Sequence, residues 1–174
     1  MKLRLKALAC AFALVVTTHH VAAEDFTVTG VTFTKPDSWK KVAPSSSMRK
    51  AQLEIGQGAD QANVVFFHFG PGGAGGVDAN VNRWLGQFKE PKEKLNSKTE
   101  SKKVGDSTLT FVRAEGTFMD GAPFGPKSPK AGYMLFAAII EAGQGPIFVK
   151  MTGPKKTVSA AAKDMRKMVE DAAR

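Results

Sequence analysis

The 174-residue sequence predicts an α+β fold, a largely antiparallel β-sheet flanked by helices in an α/β/α sandwich. Three observations carry this. Short alternating segments come in two groups, each followed by a segment with helical spacing. The segments after the first helix are joined by turns too short for parallel crossovers. Two strands, Ala62–Phe69 and Gly132–Ala142, are apolar on both faces, as strands covered on both sides are.

The chain opens with an address rather than a structural element. Lys2, Arg4 and Lys6 precede an uninterrupted apolar run from Ala7 to Val16, and Val21-Ala22-Ala23 comes before Glu24-Asp25. Basic, apolar, then small residues is the order of a secretory signal. Ten apolar residues are about half of what a membrane span needs. Cleavage is expected after Ala23, leaving one α+β domain over residues 24–174. Cys10 leaves with the signal, as do His19 and His20. The remaining 151 residues carry 22 Lys+Arg against 16 Asp+Glu, a net charge of +6, with His68 the one histidine and no cysteine. Disulfides and cysteine-based zinc sites are thereby excluded, and the fold must rest on its core.

Phe26–Phe33 is rich in β-branched residues and reads as one or two short strands. Pro36-Asp37-Ser38-Trp39 is a turn, and Ala43–Ser47 a loop. Arg49–Ile55 alternates as a strand and ends at the Gly56–Asp60 turn. After Ala62–Phe69, the run Gly70–Gly76 breaks regular structure. Val77, Val81, Trp84, Leu85 and Phe88 then share one face of a helix expected over Val77–Lys89, with Asp78 in its first turn. Lys89–Lys103 holds six lysines and three glutamates and reads as a solvated excursion with an edge strand at its end. Ser107–Met119 is a strand with a bulge expected at Gly116. Asp120–Lys130 is a loop that presents Phe124. Gly132–Ala142 and Pro146–Thr152 are strands, and a helix starts at an N-cap Thr157, with Val158, Ala161, Ala162, Met165, Met168, Val169 and Ala172 on one face.

Gly70-Pro71-Gly72-Gly73-Ala74-Gly75 matches the spacing of a dinucleotide-binding turn. Pro71 removes an N–H that a phosphate cradle would use, and no apolar parallel strand with a terminal acid follows. The run reads as a strand-to-helix connection. Asn80, Arg83 and Gln87 form a polar stripe at spacings of three and four, with Trp84 at its edge. Such a stripe either anchors the helix to loop carbonyls or lines a cleft beside the glycine run. His68 lacks recognisable partners for a metal site or a catalytic triad. The candidate ligand-binding residues are therefore Asn80, Arg83, Trp84, Gln87 and His68, with no catalytic set, metal or cofactor expected.

Trp39 after a Pro-Asp turn, Met48-Arg49, Gly72-Gly73 before Asn80-x-x-Arg83-Trp84-x-x-Gln87-Phe88, Gly116-Thr117-Phe118, Tyr133-Met134-Leu135 and Lys150-x-x-Gly153-Pro154-x-x-Thr157-Val158 resemble a family of small exported bacterial proteins of unknown function. The element order also resembles the fold of PsbP, the extrinsic photosystem protein, and of the Ran-binding Mog proteins. That resemblance implies a protein that binds or assists other proteins. No motif for photosystem or Ran binding is present, so neither function is carried over.

The functional expectation is an exported, non-enzymatic binding or accessory module of the cell envelope. Its partner is expected to be a protein or an anionic envelope component, not nucleic acid. Two alternatives stand beside it: a small-ligand or anion binder beside Gly70–Gly76, and a hydrolase using His68. The lysine-rich excursion is expected to serve solubility or to meet an anionic surface.

Overall fold

A computed structural model describes residues 24–122 and 125–174. The signal reading of residues 1–23, with Cys10, and the loop position of Phe124 lie outside the described residues. Nine strands and two helices follow in order. They are β1 (Glu24–Val28), β2 (Val31–Lys35), β3 (Lys40–Val42), β4 (Arg49–Ile55), β5 (Ala62–His68), α1 (Val77–Leu85), β6 (Lys98–Val104), β7 (Ser107–Asp120), β8 (Ser128–Glu141), β9 (Ile147–Pro154) and α2 (Lys155–Ala172). Seven strands form one sheet in the order β3-β4-β5-β9-β8-β7-β6, and β1 and β2 form a separate hairpin. Every pairing is antiparallel, so the predicted α+β class holds.

Alternation along the central strands builds a core on each face of the sheet. On β8, Met134, Phe136, Ala138 and Ile140 enter one core, while Leu135, Ala137 and Ile139 enter the other. The first core is closed by α2, through Val158, Ala161, Met165, Met168 and Val169, and by the β1–β2 hairpin. Phe26 and Phe33 of that hairpin meet Phe66 edge-on, each with ring centroids 5.1 Å away. The second core is closed by α1 and the chain after it, through Trp84, Phe88 and Leu95.

Three expected boundaries are corrected. The first helix stops at Leu85, not Lys89, because the next residues join the sheet: Met119 donates its N–H to Gln87 O and Lys89 to Thr117 O, both at 2.8 Å. The second helix begins at Lys155 with Pro154 as its cap. Thr157 lies inside it and donates its hydroxyl to Asp60 O at 2.8 Å. The eighth strand begins at Ser128 rather than Gly132. Pro129 is tolerated because β9 pairs with β8 only from Tyr133 onward, which leaves Pro129 on a locally free edge.

The bulge falls in the pairing where it is expected, between Gly116 and Phe118. Gly116 keeps its register with Tyr133, whereas Phe118 pairs with Lys130. The extra residue is thus on β8, where Gly132 takes φ +68°. Gly116 has a different task. A Cβ there would lie 2.7 Å from Glu90 Oε2 and 3.1 Å from Leu95 Cδ2, so its missing side chain makes room for both.

Candidate functional site

The glycine run and α1 form one anchored unit. Gly70, Gly72 and Gly75 adopt φ of +77°, +70° and +75°, a region that glycine enters at little cost. The carbonyls of the run turn toward α1. Asn80 Nδ2 donates to Ala74 O at 3.0 Å and to Gly76 O at 2.9 Å, and Asn80 Oδ1 accepts from Arg83 Nη1 at 2.8 Å. Arg83 also reaches Ala74 O at 3.5 Å. The buried Asn80 amide thus has partners for both its nitrogen and its oxygen, as a buried polar side chain requires. Trp84 lies beneath them, edge-on to Phe148 at 6.3 Å. The space beside the glycine run, lined by Gly75, Gly76, Val77 and Phe148, is about 50 Å³.

Gln87, beyond the end of the helix, accepts from Lys150 Nζ at 3.2 Å. Lys150 sits on β9 with its ammonium 5.9 Å from the Phe118 ring centroid. Burial, with the nearby Arg49 charge, lowers its pKa to about 8. His68 stands apart from the other four candidates. It follows Val64 and Phe66 on the α2 face of β5, pairs with Ile147, and donates from Nδ1 to Pro146 O at 3.2 Å. The structure therefore brings Asn80, Arg83 and Trp84 together, attaches Gln87 to Lys150, and places His68 on the opposite face.

Sequence reasoning missed a cleft of about 430 Å³ between α2 and strands β6 to β8. Its floor is Phe111 and Phe136, stacked at 6.0 Å with an interplanar angle of 14°, together with Met134 and Ala162. Its rim carries Lys98, Arg113, Lys163 and Arg166 against one carboxylate, Glu100. The register explains the convergence. Lys98 faces Arg113 and Glu100 faces Phe111 across β6 and β7, while Lys163 and Arg166, three apart, lie on one side of α2.

Arg166 lies 4.1 Å over the Phe111 ring, a favourable cation–π position, and bonds Glu100. The Lys98 ammonium, and then the Arg166 guanidinium, hold the Glu100 carboxyl below the usual carboxylate range. Ser159 donates its hydroxyl to Met134 Sδ at 3.3 Å. The signal that would have revealed the cleft was the alternation Lys98, Glu100, Lys102 set against the Lys163/Arg166 spacing, which only the strand register brings together. Sequence reasoning also missed Phe69, an aromatic that is 45% exposed and stacks on Phe67 at 6.1 Å.

Comparison with known protein families finds no family that matches, and no curated protein is similar in sequence. Solved structures are similar in fold. The solution structure of PsbP from the cyanobacterium Synechocystis sp. PCC 6803 has a TM-score of 0.53 at 9% identity, covering 89% of this chain and 95% of that one. A protein of unknown function from Pseudomonas aeruginosa has a TM-score of 0.41 at 12% identity, covering 85% of this chain and 94% of that one. The first likeness identifies a PsbP-like α+β fold; it is a likeness of architecture. Among the described residues, no helix is long and apolar enough to cross a membrane.

Proposed function

We propose that the protein is an exported, non-enzymatic binding or accessory module of the cell envelope, released after Ala23. One observation carries the binding half of this reading: the chemistry lining the α2 cleft. Its serine hydroxyl points to a thioether sulfur, and its one carboxylate is held ionised between Lys98 and Arg166. An aromatic floor beneath a cationic rim offers contact area and charge rather than a nucleophile and base within reach of each other. Export is supported by the residue order of positions 1–23.

The test is expression of the full chain with a C-terminal tag, followed by cell fractionation, intact-mass measurement and capture from envelope extract. The expected result is an exported form beginning at Glu24 that retains an envelope component, with less retained by Lys163→Glu. Turnover of ester or glycoside panels that His68→Ala abolishes would overturn the reading.

A further inference from the structure

We infer that the α2 cleft is a small-molecule site for an amphiphilic anion, with a carboxylate head at the rim and an acyl or aromatic body on the Phe111/Phe136 floor. This rests on the reading of the cleft as a recognition site and names the chemistry it recognises. At about 430 Å³ the cleft falls within the range of small-molecule sites, roughly 300–1,000 Å³.

The ion pairs around the rim show why the ligand is an anion. Glu100 is shared between Lys98, at 3.0 Å, and Arg166. Glu170 is shared between Lys102, at 2.9 Å, and Arg166, at 3.8 Å. Glu115 is shared between Arg113 and Lys155, at 2.7 Å from the latter. Three carboxylates thus serve five cations. Lys163 is a sixth, exposed and with no ion pair among the described residues. A carboxylate entering beside Lys163 and Arg166 completes this pattern, whereas a cation would meet like charge.

The floor shows why the anion is amphiphilic. Inorganic phosphate would satisfy the rim and leave the space above Phe111, Phe136, Met134 and Ala162 unfilled. An acyl or aromatic body fills that space and removes its own apolar surface from water, against floor residues that are already largely shielded. Arg166 can serve both parts of such a ligand, because its guanidinium already lies over Phe111 while its N–H groups reach carboxylate oxygen.

Isothermal titration of the purified protein, expressed as the full chain, with decanoate below its aggregation threshold tests this. Decanol and decyltrimethylammonium are the matched neutral and cationic probes, inorganic phosphate is the headgroup alone, and phosphatidylglycerol vesicles are the membrane arm. Decanoate is expected to saturate one site, with affinity falling as salt rises. Lys163→Glu should weaken it about tenfold, and Lys163→Arg should restore it. Lys103→Glu makes the same charge change on an exposed residue of β6, outside the cleft lining, and should have little effect.

Equal binding of decanol, equal effects of Lys163→Glu and Lys103→Glu, uptake of phosphate or vesicles without decanoate, or no saturable heat would each overturn the inference. Capture of an envelope protein that depends on Lys163, without decanoate binding, would sink this inference and leave the accessory reading in place.

Discussion

Arg83 Nη1 donates to Asn80 Oδ1 at 2.8 Å, and that one contact fixes which way the Asn80 amide faces. With its oxygen engaged, the Asn80 nitrogen is directed at the carbonyls of Ala74 and Gly76. Asn80→Ala should therefore destabilise the fold by about 1–3 kcal/mol, the range for leaving buried polar groups unsatisfied. Arg83→Ala should cost less, since Asn80 keeps its donor bonds. Urea unfolding of the two variants checks both the size and the order.

Trp84 is the anchor of the α1 face, with only 6% of its surface exposed. Trp84→Ala should cost about 3–5 kcal/mol, as large aromatic truncations in cores do. A denaturation midpoint unchanged from the parent would mean that α1 does not rest on Phe148.

Lys150 makes stability depend on alkaline pH. Its pKa is lowered from 10.5 to about 8 by burial, so between those values the unfolded chain holds a proton that the folded chain has released. Stability should then rise with pH across that window, by up to about 3 kcal/mol, while below about 8 the cost of the buried ammonium is fully present. Lys150→Met should flatten this rise without loss of stability at neutral pH. Unfolding followed at several pH values distinguishes the two proteins.

Glu90 acts at the acid end. Its carboxylate accepts the Thr117 N–H at 2.9 Å, and its pKa is lowered first by the Thr117 side chain and then by this backbone bond. The stabilisation is present above the ordinary value of 4.5 and is lost as pH falls through the lower folded value. Glu90→Gln should keep the bond and lose the titration, so its acid unfolding should be less steep. Gly116→Ala should displace the carboxylate and destabilise the protein at neutral pH.

The sheet and both helices were legible because their periods are strong. Val64 to Phe67 and Met134 to Ile140 alternate between two apolar faces, which marks interior strands, and the Trp84/Phe88 and Met165/Val169 spacings mark buried helix faces. Boundaries failed where tertiary pairing overrode local preference: Gln87 and Lys89 bond to β7 instead of extending α1, and Thr157 bonds to Asp60 instead of capping α2. The Asn80 stripe was visible as a polar row, and its use as an anchor required the course of the glycine run. The cleft was illegible for a simpler reason. Lys98, Phe111, Met134 and Lys163 come from four elements, and no local pattern links them before the register of β6, β7 and β8 is known.

That register has one more effect, at the outer margins of the sheet. Strand β3 ends it with Lys40 and Lys41, and β6 ends it with Lys98, Lys102 and Lys103. Each margin offers unpaired backbone groups to a passing strand, and each surrounds them with ammonium groups that must be crowded together before a neighbour can dock. The β6 lysines, which in the sequence read as serving solubility or meeting an anionic surface, therefore also guard the sheet, with Lys40 and Lys41, against edge-to-edge growth into fibres.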